Sequence, residues 1–226
     1  MPSTPPHGPS TPPATTRGLM NLSPAEQLRA GRMGRRIVQL MVGLWLFGSS
    51  TAILLRSGLG LAPWDVLHQG ISRHVPLSIG TVAIVTGAVV LLLWIPLREW
   101  PGLGTVLNIV VIGLAMDATL AMLPPTPDAS PAGWAMLLAG IAINALGGAL
   151  YIGAQLGPGP RDGLMTALAR ITGRGVGPIR TGIEVTVLAI GWLLGGTVGV
   201  ATVVFAIGIG PLVQRWLPAC TVELDR

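Results

Sequence analysis

Six stretches of this sequence are each close to twenty residues long, apolar and nearly free of charge, and no other feature restricts its fold so tightly. They fall at about 37–55, 78–97, 103–123, 133–153, 178–196 and 198–217. A helix needs ~20 apolar residues to cross ~30 Å of hydrocarbon. The buried strands of a soluble α/β protein would supply apolar runs of only ~4–8 residues. Of the 226 residues 50% are hydrophobic and only 10% charged, with a mean hydropathy of +0.68, whereas about a quarter of a globular chain is charged. The expectation is an all-α membrane protein of about six transmembrane helices, with the lipid bilayer as its first partner.

The segments around these runs organise the rest. Residues 1–22, beginning Met1-Pro2-Ser3-Thr4-Pro5-Pro6, form a Pro/Ser/Thr-rich tail that cannot bury apolar surface and is expected to be disordered. Ser23-Pro24-Ala25-Glu26 is a capping-box pattern, opening a basic juxtamembrane helix over 23–36 that carries Arg29, Arg32, Arg35 and Arg36. The run at 37–55 reads as a retained span, because signal-peptide n-regions are short. Residues 218–226 form a C-terminal tail. All 14 basic residues are arginine, and they cluster at the ends of apolar runs, where orientation signals and headgroup contacts belong. A nucleic-acid partner is therefore not expected despite the pI near 11.2. Arginines before the first span, at Arg98, at Arg161, Arg170 and Arg174, and at Arg215 and Arg226 put both termini in the cytoplasm. The 124–132 loop carries no basic residue and holds Asp128, while Arg56 and Arg73 are the exceptions. A bacterial cytoplasmic membrane is the expected location. Three histidines (His7, His68, His74) and the single Cys220 offer no zinc spacing, so neither a metal nor another cofactor is expected.

Shifting the sequence by 97 positions, without a gap, aligns its two halves. Leu59-Gly60 meets Leu156-Gly157, Pro63 and Asp65 meet Pro160 and Asp162, and Leu67 meets Leu164. Arg73 meets Arg170 and Gly80 meets Gly177; Gly43 meets Gly140. Downstream, Gly102, Thr105, Val106 and Gly113 meet Gly199, Thr202, Val203 and Gly210. The units cover 37–123 and 133–217. Each holds three crossings, an odd number, so the second is expected to be inverted relative to the first. Each also holds a Gly/Pro-broken segment, opened by Gly58-Leu59-Gly60-Leu61-Ala62-Pro63 or by Gly157-Pro158-Gly159-Pro160, with a short re-entrant or interfacial helix over 63–73 or 160–171. Eleven residues make only ~16 Å of helix, too little to cross. Inverted units with such interruptions recur in secondary transporters, which bind substrate where the units meet.

Asp65 and Asp162 stand in the first turns of the short helices. Either they offset the positive helix ends, or the two segments converge on a cavity that takes an anion at the free N–H groups or a cation at the aspartates. Arg161 belongs to the same candidate site. Glu184 lies one turn after Arg180, as an interfacial ion pair or as an ion relay; Gly87 fills its place in the first unit. Asn108 and Asn144 either bond between helices or line a pore. Asp117 reads as a span-end residue, and His68 and His74 as solvated. Trp64, Trp94, Trp100, Trp134 and Trp216 read as interfacial belts. There is no nucleophile elbow, P-loop or metalloprotease motif, and no catalytic residue or enzymatic activity is expected.

Pro63-Trp64-Asp65, Gly159-Pro160-Arg161-Asp162-Gly163-Leu164-Met165 and Arg180-Thr181-Gly182-Ile183-Glu184-Val185-Thr186 resemble the bacterial YczE/YitT-like membrane proteins over most of 36–217. That resemblance implies an integral cytoplasmic-membrane protein and carries no substrate or catalytic residues with it. Two functions follow as expectations: a small-solute or ion transporter with its site between Asp65 and Asp162, or a non-transporting accessory protein that organises a membrane partner or lipids. Either allows a homo-oligomer.

Overall fold

The computed structural model describes residues 19, 20, 22–124 and 130–224; most of the N-terminal tail, His7, Asp128 and Arg226 lie outside them. The described residues form ten helices and no strand. Six stretches are long and apolar enough to cross a membrane: α2 (Met33–Arg56), α4 with α5 (Ile79–Leu92 and Trp94–Leu97), α6 (Leu103–Met122), α7 (Pro131–Gly153), α9 (Val176–Leu193) and α10 (Val200–Cys220). They coincide with the six apolar runs, and the molecule is a multi-pass membrane protein. The short helices are α1 (Pro24–Arg29), α3 (Pro63–Ser72) and α8 (Pro160–Thr172).

The capping box forms as its spacing requires. The Ser23 amide donates to Glu26 Oε2 at 2.8 Å, and the Glu26 amide returns a bond to Ser23 Oγ at 3.4 Å. Hydrogen bonds from the Ser23 hydroxyl and amide hold the Glu26 carboxyl below its ordinary pKa. The basic helix expected over 23–36 is not continuous, however. Gly31 and Arg32 both take positive φ (73° and 50°), which ends α1, so Arg35 and Arg36 belong to α2. Arg36 is not at a headgroup surface but fully buried. Its guanidinium donates to the carbonyls of Ala154 (2.9 Å), Gln155 (2.7 Å) and Gln27 (2.6 Å). A helix leaves its last carbonyls without intrahelical partners, and Arg36 supplies the partners at the end of α7.

α2 and α7 form the antiparallel centre. A Cβ on Gly43 would lie 2.7 Å from the Tyr151 amide nitrogen, and one on Gly147 2.7 Å from that of Phe47. Small residues here let two backbones touch, which is how helices associate where lipid removes the hydrophobic drive. α6 flanks α2 and α10 flanks α7. On the face where α2 begins, called here the entry face, the Gly104 amide donates to Leu156 O (2.7 Å) and that of Val222 to Gly153 O (2.9 Å). On the far face Arg56 Nη2 donates to Leu120 O (2.7 Å) and the Ala201 amide to Leu59 O (2.9 Å). α2 and α6 therefore run one way, α7 and α10 the other.

Contacts recur at residues 97 apart, with the partners exchanged. Ala201 bonds Leu59 as Gly104 bonds Leu156. The Gly199 amide donates to Thr202 Oγ1 and that of Gly102 to Thr105 Oγ1, both at 3.2 Å. Gly60 and Gly157 share a left-handed backbone, with φ of 114° and 119°, and each sits against the helix start of the other half.

Arg36→Ala should destabilise the detergent-solubilised protein by about 2–3 kcal/mol, since buried carbonyls lose charge-assisted partners. Arg36→Lys should recover less than half of that, because an ammonium cannot reproduce a planar fork. Thermal unfolding followed by tryptophan fluorescence measures both; an unchanged midpoint in Arg36→Ala would contradict the assignment.

Candidate functional site

A cavity of about 340 Å³ lies between the two halves and reaches both short helices. That volume is in the range of small-ligand sites. The chain folds locally to put two helix N-termini there. Pro63 and Pro160 occupy the first helical turns, where a missing N–H costs nothing. The C-terminal ends of the short helices are tied to opposite faces. Arg73 donates to Gly195 O on the far face. Arg170 donates to Leu97 O (3.0 Å) and pairs with Glu99 (2.7 Å) on the entry face. The N-terminal ends meet between the faces, with the Arg161 guanidinium 4.9 Å from the Trp64 ring centroid. Each short helix thus runs only part of the way between the faces, and the starts of the two lie beside each other at the cavity.

All seven residues singled out as candidates (Asp65, Asn108, Asn144, Arg161, Asp162, Arg180 and Glu184) line this one cavity. Neither aspartate caps its helix, and neither short helix has a side-chain cap. Asp65 is buried with its Oδ1 3.4 Å from His68 Nδ1. Asp162 accepts a 3.1 Å bond from the Tyr151 hydroxyl, lines the cavity and is exposed. Gly159 matters here: a Cβ there would sit 3.2 Å from Asp162 Oδ2, 3.5 Å from Asn108 Nδ2 and 3.6 Å from the Tyr151 hydroxyl. Arg180 and Glu184 form an i,i+4 pair at 2.9 Å on α9. Asn144 donates to Ser50 Oγ at 2.9 Å, an interhelical bond between α7 and α2.

Three residues read as peripheral are central. Trp64 and Trp94 are not in an interfacial belt; they are 6% and 2% exposed, and Trp94 Nε1 donates to Pro160 O at 3.1 Å. His68 is not solvated but 1% exposed. Trp100, Trp134 and Trp216 are exposed near helix ends, as a belt requires. His68 and Tyr151 were missed as site residues although signals existed. His68 lies three residues after Asp65 on the same helical face, and Tyr151, the single tyrosine, lies seven after Asn144.

The cavity walls differ in one respect. In the first half α4 and α6 seal the far face: backbone meets backbone at Gly80 and Gly113, and Asp117 accepts from the Gly80 amide (2.9 Å) and the Ser78 hydroxyl. Asp117, read as a span-end residue, is thus a clamp. The positions 97 further on are Gly177, Gly210, Gln214 and Gly175. Gly177 and Gly210 have no atom within 4 Å of a Cβ, and Gln214 lines the cavity. Leu188 of α9 and Phe205 of α10 pack on the shared core. The α4–α6 glycines are therefore in contact where their α9–α10 counterparts are not.

Comparison with known proteins agrees with a membrane protein and goes no further. A family model described as a family of unknown function, DUF6198, matches residues 34–218. An uncharacterized protein of Haemophilus influenzae is 40% identical over 178 residues, covering 79% of this chain and 81% of its own. The uncharacterized membrane protein YczE of Bacillus subtilis is 33% identical over 190 residues, covering 80% of this chain and 88% of its own. YyaS of Bacillus subtilis, also uncharacterized, is 22% identical over 180 residues. No solved structure matches.

On a Cys220→Ser background, Gly210→Cys should react quickly with a bulky hydrophilic thiol reagent, at least tenfold faster than Met116→Cys in the sealed wall. Equal rates would mean the two walls do not differ.

Proposed function

The chain belongs to DUF6198, a family of unknown function, and on that premise we propose that it is an alternating-access carrier for a small solute or ion. In this reading residues 37–123 and 133–217 are two inverted units, and Asp65, Arg161 and Asp162 bind the solute where they meet. The observation that carries it is the pair of unequal seams. A glycine-to-glycine contact closes the α4–α6 seam, and the same glycines recur between α9 and α10, where Gly177 and Gly210 stand clear of any neighbour. Backbone contact through glycines carries no interlocking side chains to undo, so such a seam forms and releases with little rearrangement. Gln214, standing where Asp117 stands in the first unit, has an amide able to take the same role toward the first turn of α9, whose N-cap Gly175 offers no side chain.

The two seams support the following cycle. Solute enters from the entry face, and the arginine distribution supports reading that face as the cytoplasmic face of a bacterial inner membrane. Its contacts then draw the two half-spanning helices and α9 together. The α9–α10 seam closes, and the α4–α6 seam releases toward the far face. Arg180 and Glu184, on the moving face of α9, have only Ala83 and Gly87 as counterparts. Their pairing belongs to one side of the cycle and makes them the candidate coupling groups.

The test needs no knowledge of the solute. Gly177→Cys and Gly210→Cys, joined by a bifunctional thiol reagent in sealed vesicles, should make the backbone around Met116 more accessible from the far face, read as faster labelling of Met116→Cys added afterwards in a reversibly blocked form. Unchanged protection of Met116→Cys would contradict a carrier and favour the rival reading, a static cavity in an accessory protein that organises a membrane partner.

A further inference from the structure

Resting on the carrier reading, we infer that the solute is a small zwitterion with an apolar body, of amino-acid type, carrying a cationic nitrogen and an anionic carboxylate a few bonds apart. The inference comes from which hydrogen-bonding groups in the cavity wall are left without partners.

On the acceptor side, the Asp65 carboxylate stands beside His68, and Asp162 hydrogen-bonds only the Tyr151 hydroxyl, with the Arg161 and Arg180 charges near it. An ionised carboxylate offers about four lone-pair sites, so most of this capacity is unused. Asn144 adds another acceptor. The residue is 1% exposed and its Oδ1 has no partner. The amide orientation is fixed by its neighbour: Ser50 spends its proton on Phe47 O at 2.7 Å, so it can only accept from Asn144 Nδ2. The unpaired atom is the oxygen. A buried acceptor with no donor is costly to the fold, and a cationic N–H donor would relieve it.

On the donor side, Arg161 lies over Trp64 and makes no hydrogen bond or ion pair among the described residues. Its guanidinium has five N–H donors in a fork shaped for a carboxylate. Trp64 Nε1 is buried and unpaired as well. The uncapped first turn of α8 adds free amides beside Arg161, where an anion is favoured. Arg180 is occupied by Glu184 and does not count.

A simple cation would satisfy the aspartates and leave the Arg161 fork empty. A simple anion would do the reverse and lie beside two carboxylates. Only a solute with both charges fills both sets. Between them the wall is apolar, with Phe47, Ile109, Ile112, Met165 and Ile209, which suits an aliphatic side chain.

Leucine, leucinamide and N-acetyl-leucine share one body and carry both charges, the positive one only, and the negative one only. Titrated into the purified full chain by calorimetry, leucine should bind at least tenfold more tightly than either analogue. Arg161→Gln should abolish the advantage of leucine over leucinamide, and Asp162→Asn its advantage over N-acetyl-leucine. Thermal melts check that both variants fold. Equal or better binding of either analogue would overturn the inference, as would no binding of leucine at 10 mM (about −2.7 kcal/mol or weaker). If seam cross-linking still switches access, that failure removes the zwitterion and leaves the carrier standing.

Discussion

Each half of the protein completes the backbone hydrogen bonding of the other, and the site depends on that exchange. Irregular backbone at membrane depth is tolerated only where protein or a water-lined cavity supplies its partners. The segments before α3 and α8 are irregular of necessity, since Gly60 and Gly157 hold left-handed backbone there. Their carbonyls are met from across the molecule, Leu59 by Ala201 and Leu156 by Gly104. Held together, the two put a pair of uncapped helix N-termini, two aspartates and an arginine into one cavity.

The glycine contacts of α2 and α7 make the exchange possible by bringing the halves within backbone reach. Arg36 anchors the same junction at the entry face by closing the end of α7. It spends three charge-assisted bonds on a structural task, which explains why a guanidinium can be fully buried at the end of an apolar span. Three charges at the cavity have no comparable task. Asp65, Asp162 and Arg161 lack the full set of partners that a purely structural residue acquires, and groups left in that state in a membrane protein are ordinarily there for a ligand.

Much of this was readable in the residues. The six spans followed from apolar length alone, and Gly/Pro clusters located both short helices to within two residues. The capping box at Ser23 formed as written. What misled was the treatment of amphipathic side chains by their place along the chain. Trp64 and Trp94 lie near helix ends, but the half-spanning segments bring a helix end into the interior, so the usual link between position and interface fails. Arg36 and His68 were misread for the same reason, since burial there comes from contacts more than a hundred residues away in sequence or from packing across the cavity. The inequality of the two seams had little signal: Gly80 and Gly177 are the same letter, and only the replacement of Ser78 and Asp117 by Gly175 and Gln214 marks the difference.

The most direct measurement of the account is the sidedness of two single cysteines, Asp65→Cys and Asp162→Cys, on a Cys220→Ser background in sealed vesicles of each orientation. A membrane-impermeant thiol reagent should reach both positions from the entry face, through one shared cavity, and neither from the far face. Labelling of position 65 from the far face and position 162 from the entry face would mean two superficial segments on opposite surfaces, with no common site between them.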